Sequence, residues 1–184
     1  AINAAKGTLA TPFAKLQRSY EEAWHSYDES LVGPLSHFKS LTAERWKSLL
    51  DEYYLSANVI KASQDKTFIG AEVAGLASPW GQAVSAGDPN NTYFGSYREV
   101  FARDLYEAWT GFYLDGDTRS AKDLVNFLFD KQQQADGSMP RNSLLNGQLA
   151  PDSFGTQLDE ASYPIIMAYQ LKMNDSTLYE KHIK

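Results

Sequence analysis

The chain has 184 residues, no cysteine and a formal net charge of -6 at pH 7, and 43% of its residues are hydrophobic. These values fit a folded globular domain and exclude disulfides and thiolate metal ligands. The sequence has no cluster of Lys and Arg and no apolar run of membrane-spanning length, which argues against nucleic acid and membrane as partners.

Two helices are predicted in the first third of the chain. Aromatic and aliphatic residues recur at three- and four-residue steps over residues 12–27, which is the pattern of an amphipathic helix. Gly33 and Pro34 interrupt this pattern, and a second helix is predicted from the N-cap residue Thr42 to about residue 60. The interruption near residues 31–40 is therefore the predicted domain boundary.

A helical hairpin and two further helices are predicted in the rest of the chain. Helical spacing begins at Asp104, stops at residues 115–116 and restarts behind the N-cap residue Asp117. Asp159 opens another predicted helix, and Asp175 is placed to cap one more. Each of these helices therefore has an acidic residue near its start.

Long polar loops precede the hairpin and the helix that follows it. Residues 62–97 and 135–157 are rich in Gly, Pro, Asn and Ser, and loops of this length usually carry function. Because the order of loop, acidic helix start and paired helices occurs twice, we predict an all-α fold that is part of an α/α toroid. Asp104, Asp159 and Glu160 would then lie at one rim, although simple helix capping also explains acidic residues at such positions.

Motifs for other chemistries are lacking. The three His residues are scattered, and the sequence contains neither a phosphate-binding Gly-Lys-Ser/Thr loop nor a Gly-x-Ser-x-Gly turn. For an enzyme, this leaves hydrolysis by carboxyl groups, and we expect no cofactor and no metal.

The sequence contains four long blocks in this order: SANVIKASQDKTFIGAEVAGLASPWG, TYFGSYREVFARDLYEAWTGFYLDGD, FLFDKQQQADGSMPRNS and QLDEASYPIIMAYQL. Together they resemble the bacterial branch of glycoside hydrolase family 15, which comprises glucoamylases and glucodextranases. The resemblance implies that residues 41–184 are the N-terminal portion of an (α/α)6 catalytic barrel. Residues 1–40 resemble the helical linker that precedes the barrel in this family.

The same resemblance assigns substrate-binding positions. Arg103 and Asp104 match a pair that holds hydroxyl groups of glucose in the innermost subsite. These residue types suit the task, because Asp104 accepts hydroxyl donors while Arg103 donates to sugar oxygens and is expected to keep that carboxylate ionised. Phe101 stands where the family commonly has Trp, so ring stacking is expected without the indole donor. The other matches to the pocket wall are Tyr97, Gln157, Asp159 and Glu160.

The implied activity is exo-acting, inverting hydrolysis of α-glucans or oligosaccharides, with release of β-glucose from non-reducing ends. Inversion needs a general acid and a general base, and both family Glu residues are expected beyond Lys184. We therefore assign no catalytic residue, expect this chain alone to be an inactive fragment, and expect a second chain to carry the rest of the barrel. An extracellular or periplasmic location is implied for a bacterial protein, although no signal peptide is recognised.

Two other interpretations remain open. One is a non-catalytic glucan-binding or regulatory module, and the other is a different α/α-toroid enzyme, such as a trehalase-type hydrolase, a glucan transferase or a polysaccharide lyase. The sequence does not distinguish a preference for α-1,4 linkages from one for α-1,6 linkages. It also does not distinguish hydrolysis from transfer of glucose to another glucan.

Overall fold

The computed structural model describes residues 2–34, 40–76, 97–151, 153 and 155–183. It divides into two compact units, Ala1–Tyr54 and Leu55–Lys184. Most of the predicted loop at residues 62–97, including the sequence SPWG, lies outside the described residues.

The first unit is helical. It contains α1 (Ile2–Leu9), α2 (Phe13–Ser30) and the first part of α3 (Ala43–Ala62). The sequence predicted α2 and α3 but not α1. Thr42 caps α3 as predicted, because its hydroxyl oxygen accepts a hydrogen bond from the backbone N–H of Arg45 at 3.3 Å. Along α2 the ring of Trp24 makes edge contacts with Tyr20 and Tyr27, which confirms the predicted helical spacing.

The second unit contains the end of α3 and the remaining helices: α4 (Ala102–Asp115), α5 (Thr118–Phe127), α6 (Leu158–Gln170) and α7 (Ser176–Leu178). Two π-helical turns, Leu128–Gln132 and Tyr179–Ile183, extend α5 and α7. The strands β1 (Val100–Phe101) and β2 (Asn142–Ser143) form one short antiparallel ladder. Helix predominates in the described residues, as predicted, and none of the described helices is long and apolar enough to cross a bilayer.

The predicted hairpin is α4 with α5. Gly116 ends α4 with a φ of 86°, and the Asp117 side chain caps α5 by accepting a hydrogen bond from the backbone N–H of Ser120 at 3.0 Å. The helix α4 begins at Ala102, so Asp104 lies in its first turn and not at its cap. The core of the unit is formed by buried side chains of both helices: Leu105, Trp109, Phe112, Leu124, Val125 and Phe127.

The helices α4 and α6 lie side by side and run in the same direction. Near their N-terminal ends Arg103 contacts Asp159, and one turn later the rings of Tyr106 and Tyr163 stack with centroids 4.3 Å apart. This parallel arrangement brings the two helix starts together.

Candidate substrate-binding site

The candidate site lies at the N-terminal ends of α4 and α6. The Nε atom of Arg103 donates a hydrogen bond to Oδ2 of Asp159 at 2.7 Å, and its Nη2 atom forms an ion pair with the same oxygen at 2.6 Å. Nη2 also donates to Oε1 of Gln157 at 2.9 Å. The side chains of Arg103 and Asp159 remain 50% and 31% exposed, so a ligand can reach this pair. The structure thus brings Arg103 into contact with Gln157 and Asp159, which lie 54 and 56 positions further along the chain.

Arg103 acts on the pKa of both Asp159 and Asp104. The guanidinium of Arg103 holds the pKa of Asp159 below its ordinary value through their hydrogen bond. The pKa of Asp104 is instead raised, first by burial, and Arg103 opposes that rise only weakly. Successive side chains on a helix point about 100° apart. Because Arg103 is directed towards α6, its charge stabilises Asp159 more than its neighbour Asp104.

Glu160 is the buried acid of the cluster. It is only 1% exposed, and its Oε2 has no hydrogen-bond partner among the described residues. Burial is the main cause that raises its pKa to about 7; Asp159 and Asp104 add to the rise, whereas Arg103 and Arg141 oppose it. Glu160 therefore exchanges a proton near neutral pH.

The aromatic side of the site is formed by Tyr97 and Phe101. Their ring centroids are 5.7 Å apart at an angle of 45°. Phe101 is 7% exposed, and the guanidinium carbon of Arg141 lies 5.5 Å from its ring centroid. The Phe101 ring, which was expected to stack on a sugar, therefore offers little open surface in this structure.

Arg141 is a residue of the cluster that the sequence analysis did not assign. It directly precedes β2, and the β1–β2 register, with Phe101 opposite Asn142, brings it beside the start of α4. The sequence MPRNS, in which Arg141 precedes a polar Asn-Ser pair, could have drawn attention to this position. The structure shows that this Asn-Ser pair is buried, although it lies within a loop. Buried polar pairs in a loop usually anchor a precise backbone position.

Buried polar side chains fix this loop. Nε2 of Gln132 donates to the backbone carbonyl of Val100 and to the hydroxyl of Ser143, both at 3.0 Å. The side-chain amide of Asn142 donates to the carboxylate of Glu99. Because these groups are removed from water, displacing the loop would leave buried donors and acceptors unsatisfied. The loop and the start of α4 therefore form one rigid support.

The chain is similar to known glucoamylases. No protein-family model matches the chain. A glucoamylase from Clostridium sp. (strain G0005) is 35% identical over 184 residues, which is the whole of this chain and 23% of that protein. A crystal structure of a bacterial glucoamylase complexed with acarbose matches 99% of this chain with 30% identity and a TM-score of 0.73. This chain is related to the bacterial glucoamylases.

The relationship to bacterial glucoamylases confirms the family predicted from the sequence blocks and the prediction of part of an α/α toroid. The chain spans about a quarter of the length of the glucoamylases that it matches, with 23% of one and 24% of the other covered.

Proposed function

We propose that this chain forms part of the glucose-binding subsite of a glucoamylase-like glycoside hydrolase. The network of Arg103, Asp159 and Gln157 carries this proposal, because it joins the starts of two parallel helices and keeps charged groups accessible. A sugar presents many hydroxyl groups, and an adjacent guanidinium and carboxylate can donate to and accept from them. The relationship to glucoamylases supports a glucan as the ligand.

The residues have distinct proposed roles. Asp104 and Arg103 bind glucose hydroxyls directly, while Asp159 and Gln157 hold the Arg103 guanidinium in place. Tyr97, Phe101 and Glu160 form the wall around them, with Phe101 and Glu160 largely buried. The half-buried position of Asp104 strengthens its hydrogen bonds, because water competes less for them there.

The proposed reaction is inverting, exo-acting hydrolysis that releases β-glucose. Inverting hydrolysis uses two carboxyl groups roughly 6.5–9.5 Å apart, and we propose that both lie outside this chain. We propose that the protein acts outside the cytoplasm, in the extracellular space or the periplasm, because a polymeric glucan would be found there.

We propose that further helices, carried by a second chain, complete the barrel. The chain corresponds to about a quarter of its relatives, and α4 and α6 carry large apolar side chains that are exposed: Tyr113, Leu114, Leu158, Ile165, Ile166 and Tyr169. Such a surface is typical of one that packs against further structure. The chain together with these helices is called the assembled enzyme below.

Replacement of Arg103 tests the proposed site. In the Arg103→Met variant we expect acarbose, which a related glucoamylase binds in its crystal structure, to bind the assembled enzyme about tenfold or more weakly. Charge-assisted hydrogen bonds to the ligand would be lost, and each tenfold corresponds to about 1.4 kcal/mol. Isothermal titration calorimetry measures the dissociation constant.

Arg119→Met is the matched control, because Arg119 is an exposed arginine in the first turn of α5. It should leave acarbose binding unchanged. Equal affinities of the Arg103→Met variant and the parent protein would contradict the proposed site. Tight acarbose binding without any turnover would instead indicate a non-catalytic glucan-binding module.

A further inference from the structure

We propose that Arg141 is an additional substrate-binding residue of this subsite, and that its guanidinium, lying over the Phe101 ring, presents hydrogen-bond donors to the glucan where an open aromatic ring was expected. This inference rests on the proposed function, since it adds a specificity-determining residue to the same site.

The contact between Arg141 and Phe101 determines which of the two side chains a ligand can reach. Phe101 is buried, whereas Arg141 is only half-buried, so Arg141 is the more exposed residue of the pair. The N–H groups of a guanidinium all lie in one plane and point outward from its central carbon. With five donors, it can bind a sugar hydroxyl and protein groups at the same time.

Arg141 also belongs electrostatically to the cluster around Arg103. Both guanidinium groups favour the charged form of Glu160 and so oppose the rise of its pKa, while Asp159 and Asp104 promote that rise. Two arginines and three acids thus surround one another at the starts of α4 and α6. Such an arrangement offers alternating donors and acceptors, as a hydroxyl-rich neutral ligand requires.

The backbone of Arg141 is held before any ligand binds. The next two residues, Asn142 and Ser143, are buried and pair with β1, and Gln132 fixes both strands through its side-chain amide. The ring of Phe101 restricts the side chain in turn. Arg141 therefore loses little conformational entropy when a ligand binds, which favours a specific contact.

The chemistry of the contact predicts the behaviour of two substitutions. Arg141→Met removes the donors but keeps a long apolar stem over Phe101. Arg141→Lys keeps the charge but loses the planar fork and the flat stacking surface. If donors in a fixed plane bind the sugar, the lysine should restore little of the lost affinity.

The test measures binding of acarbose and of monodeoxy maltosides to the assembled enzyme by calorimetry. We expect Arg141→Met to weaken acarbose binding about tenfold to a hundredfold, and Arg141→Lys to remain within about threefold of the Met variant. For the parent protein, one monodeoxy maltoside should bind more weakly than the unmodified maltoside. For the Arg141→Met variant, that monodeoxy maltoside and the unmodified maltoside should bind equally well. That loss of discrimination identifies a direct contact, which a mere disturbance of folding would not produce.

Three outcomes separate the hypotheses, with Arg119→Met as the control. If Arg103→Met weakens acarbose binding while Arg141→Met leaves it unchanged, the proposed role of Arg141 is wrong but the proposed site stands. Equal discrimination among the deoxy ligands by the parent and Met variants overturns it as well. If neither Arg103→Met nor Arg141→Met changes binding, the proposed site itself fails, and the inference fails with it.

Discussion

Asp159 and Glu160 are adjacent in the chain, yet their environments shift their pKa values in opposite directions. Asp159 accepts a hydrogen bond from Arg103 and forms an ion pair with it, and both interactions lower its pKa. Glu160 points into the protein, and burial raises its pKa to about 7. One acid therefore stays charged and holds an arginine, while its neighbour changes protonation near neutral pH.

The buried Glu160 should make stability depend on pH. Its pKa rises from 4.5 in the unfolded chain to about 7 in the folded protein. Between these values the folded state keeps a proton that the unfolded state has lost, so the free energy of unfolding falls as pH rises through this window and stays lower above it. We expect this fall, between pH 5 and pH 8, to be larger by about 1–3 kcal/mol in the parent protein than in Glu160→Gln.

Urea unfolding at both pH values measures this difference. The exposed Glu107 in α4 provides the matched control, and Glu107→Gln should keep the pH dependence of the parent protein. An identical pH dependence in Glu160→Gln and the parent protein would mean that Glu160 is not the titrating group.

The residue scale is also where prediction from sequence reached its limit. The sequence blocks indicated Arg103 and Asp159 as site residues, but a helix pattern does not show which carboxylate a side chain will contact. That choice depends on the packing of α4 against α6, which puts Asp159 within 2.6 Å of Arg103. The burial of Glu160 and the position of Arg141 over Phe101 likewise arise from tertiary contacts.

At the scale of elements, the segment after α3 is held close to α5. Gly70 has a φ of 83°, and a Cβ atom at this position would overlap the backbone carbonyl of Asp123 in α5 and the side chain of Phe127. Glycine therefore meets two requirements here: a left-handed backbone and a close approach to a helix.

Gly70→Ala should destabilise the protein more than a matched glycine substitution. Gly137 has nearly the same φ, 84°, but a Cβ there would have no heavy atom within 4 Å. Gly137→Ala should cost about 1–2 kcal/mol for the backbone alone, and Gly70→Ala about 1–3 kcal/mol more because of the overlap. Urea unfolding of both variants measures the difference, and equal losses would show that the close packing on α5 is not maintained in solution.

The helices were largely predictable because their periodicity and caps are local. Thr42 and Asp117 cap α3 and α5 as the sequence indicated. The start of α4 was predicted two residues too late, since Phe101 provides no side-chain cap and the first acidic residue is Asp104. The ladder of β1 and β2 spans only two residues on each side, which is too short for an alternating pattern to reveal.

For the whole molecule, the prediction of a toroid rested on the order of loop, acidic helix start and paired helices, which occurs twice, and not on any single helix. The parallel pair α4 and α6, separated in sequence by α5, has the arrangement of inner helices with an outer helix between them. The exposed apolar side chains of α4 and α6 agree with the proposal that further helices complete the barrel. Activity is accordingly expected of the assembled enzyme and not of this chain alone.

The most direct test is proton NMR of the glucose released from maltooligosaccharides and isomaltooligosaccharides, with parent and Asp104→Asn proteins compared. We expect the assembled enzyme to release β-glucose first and Asp104→Asn to lower kcat/KM about a hundredfold or more. We expect no glucose release from this chain alone. Release of α-glucose, full activity of Asp104→Asn, or glucose release by the isolated chain would contradict these expectations.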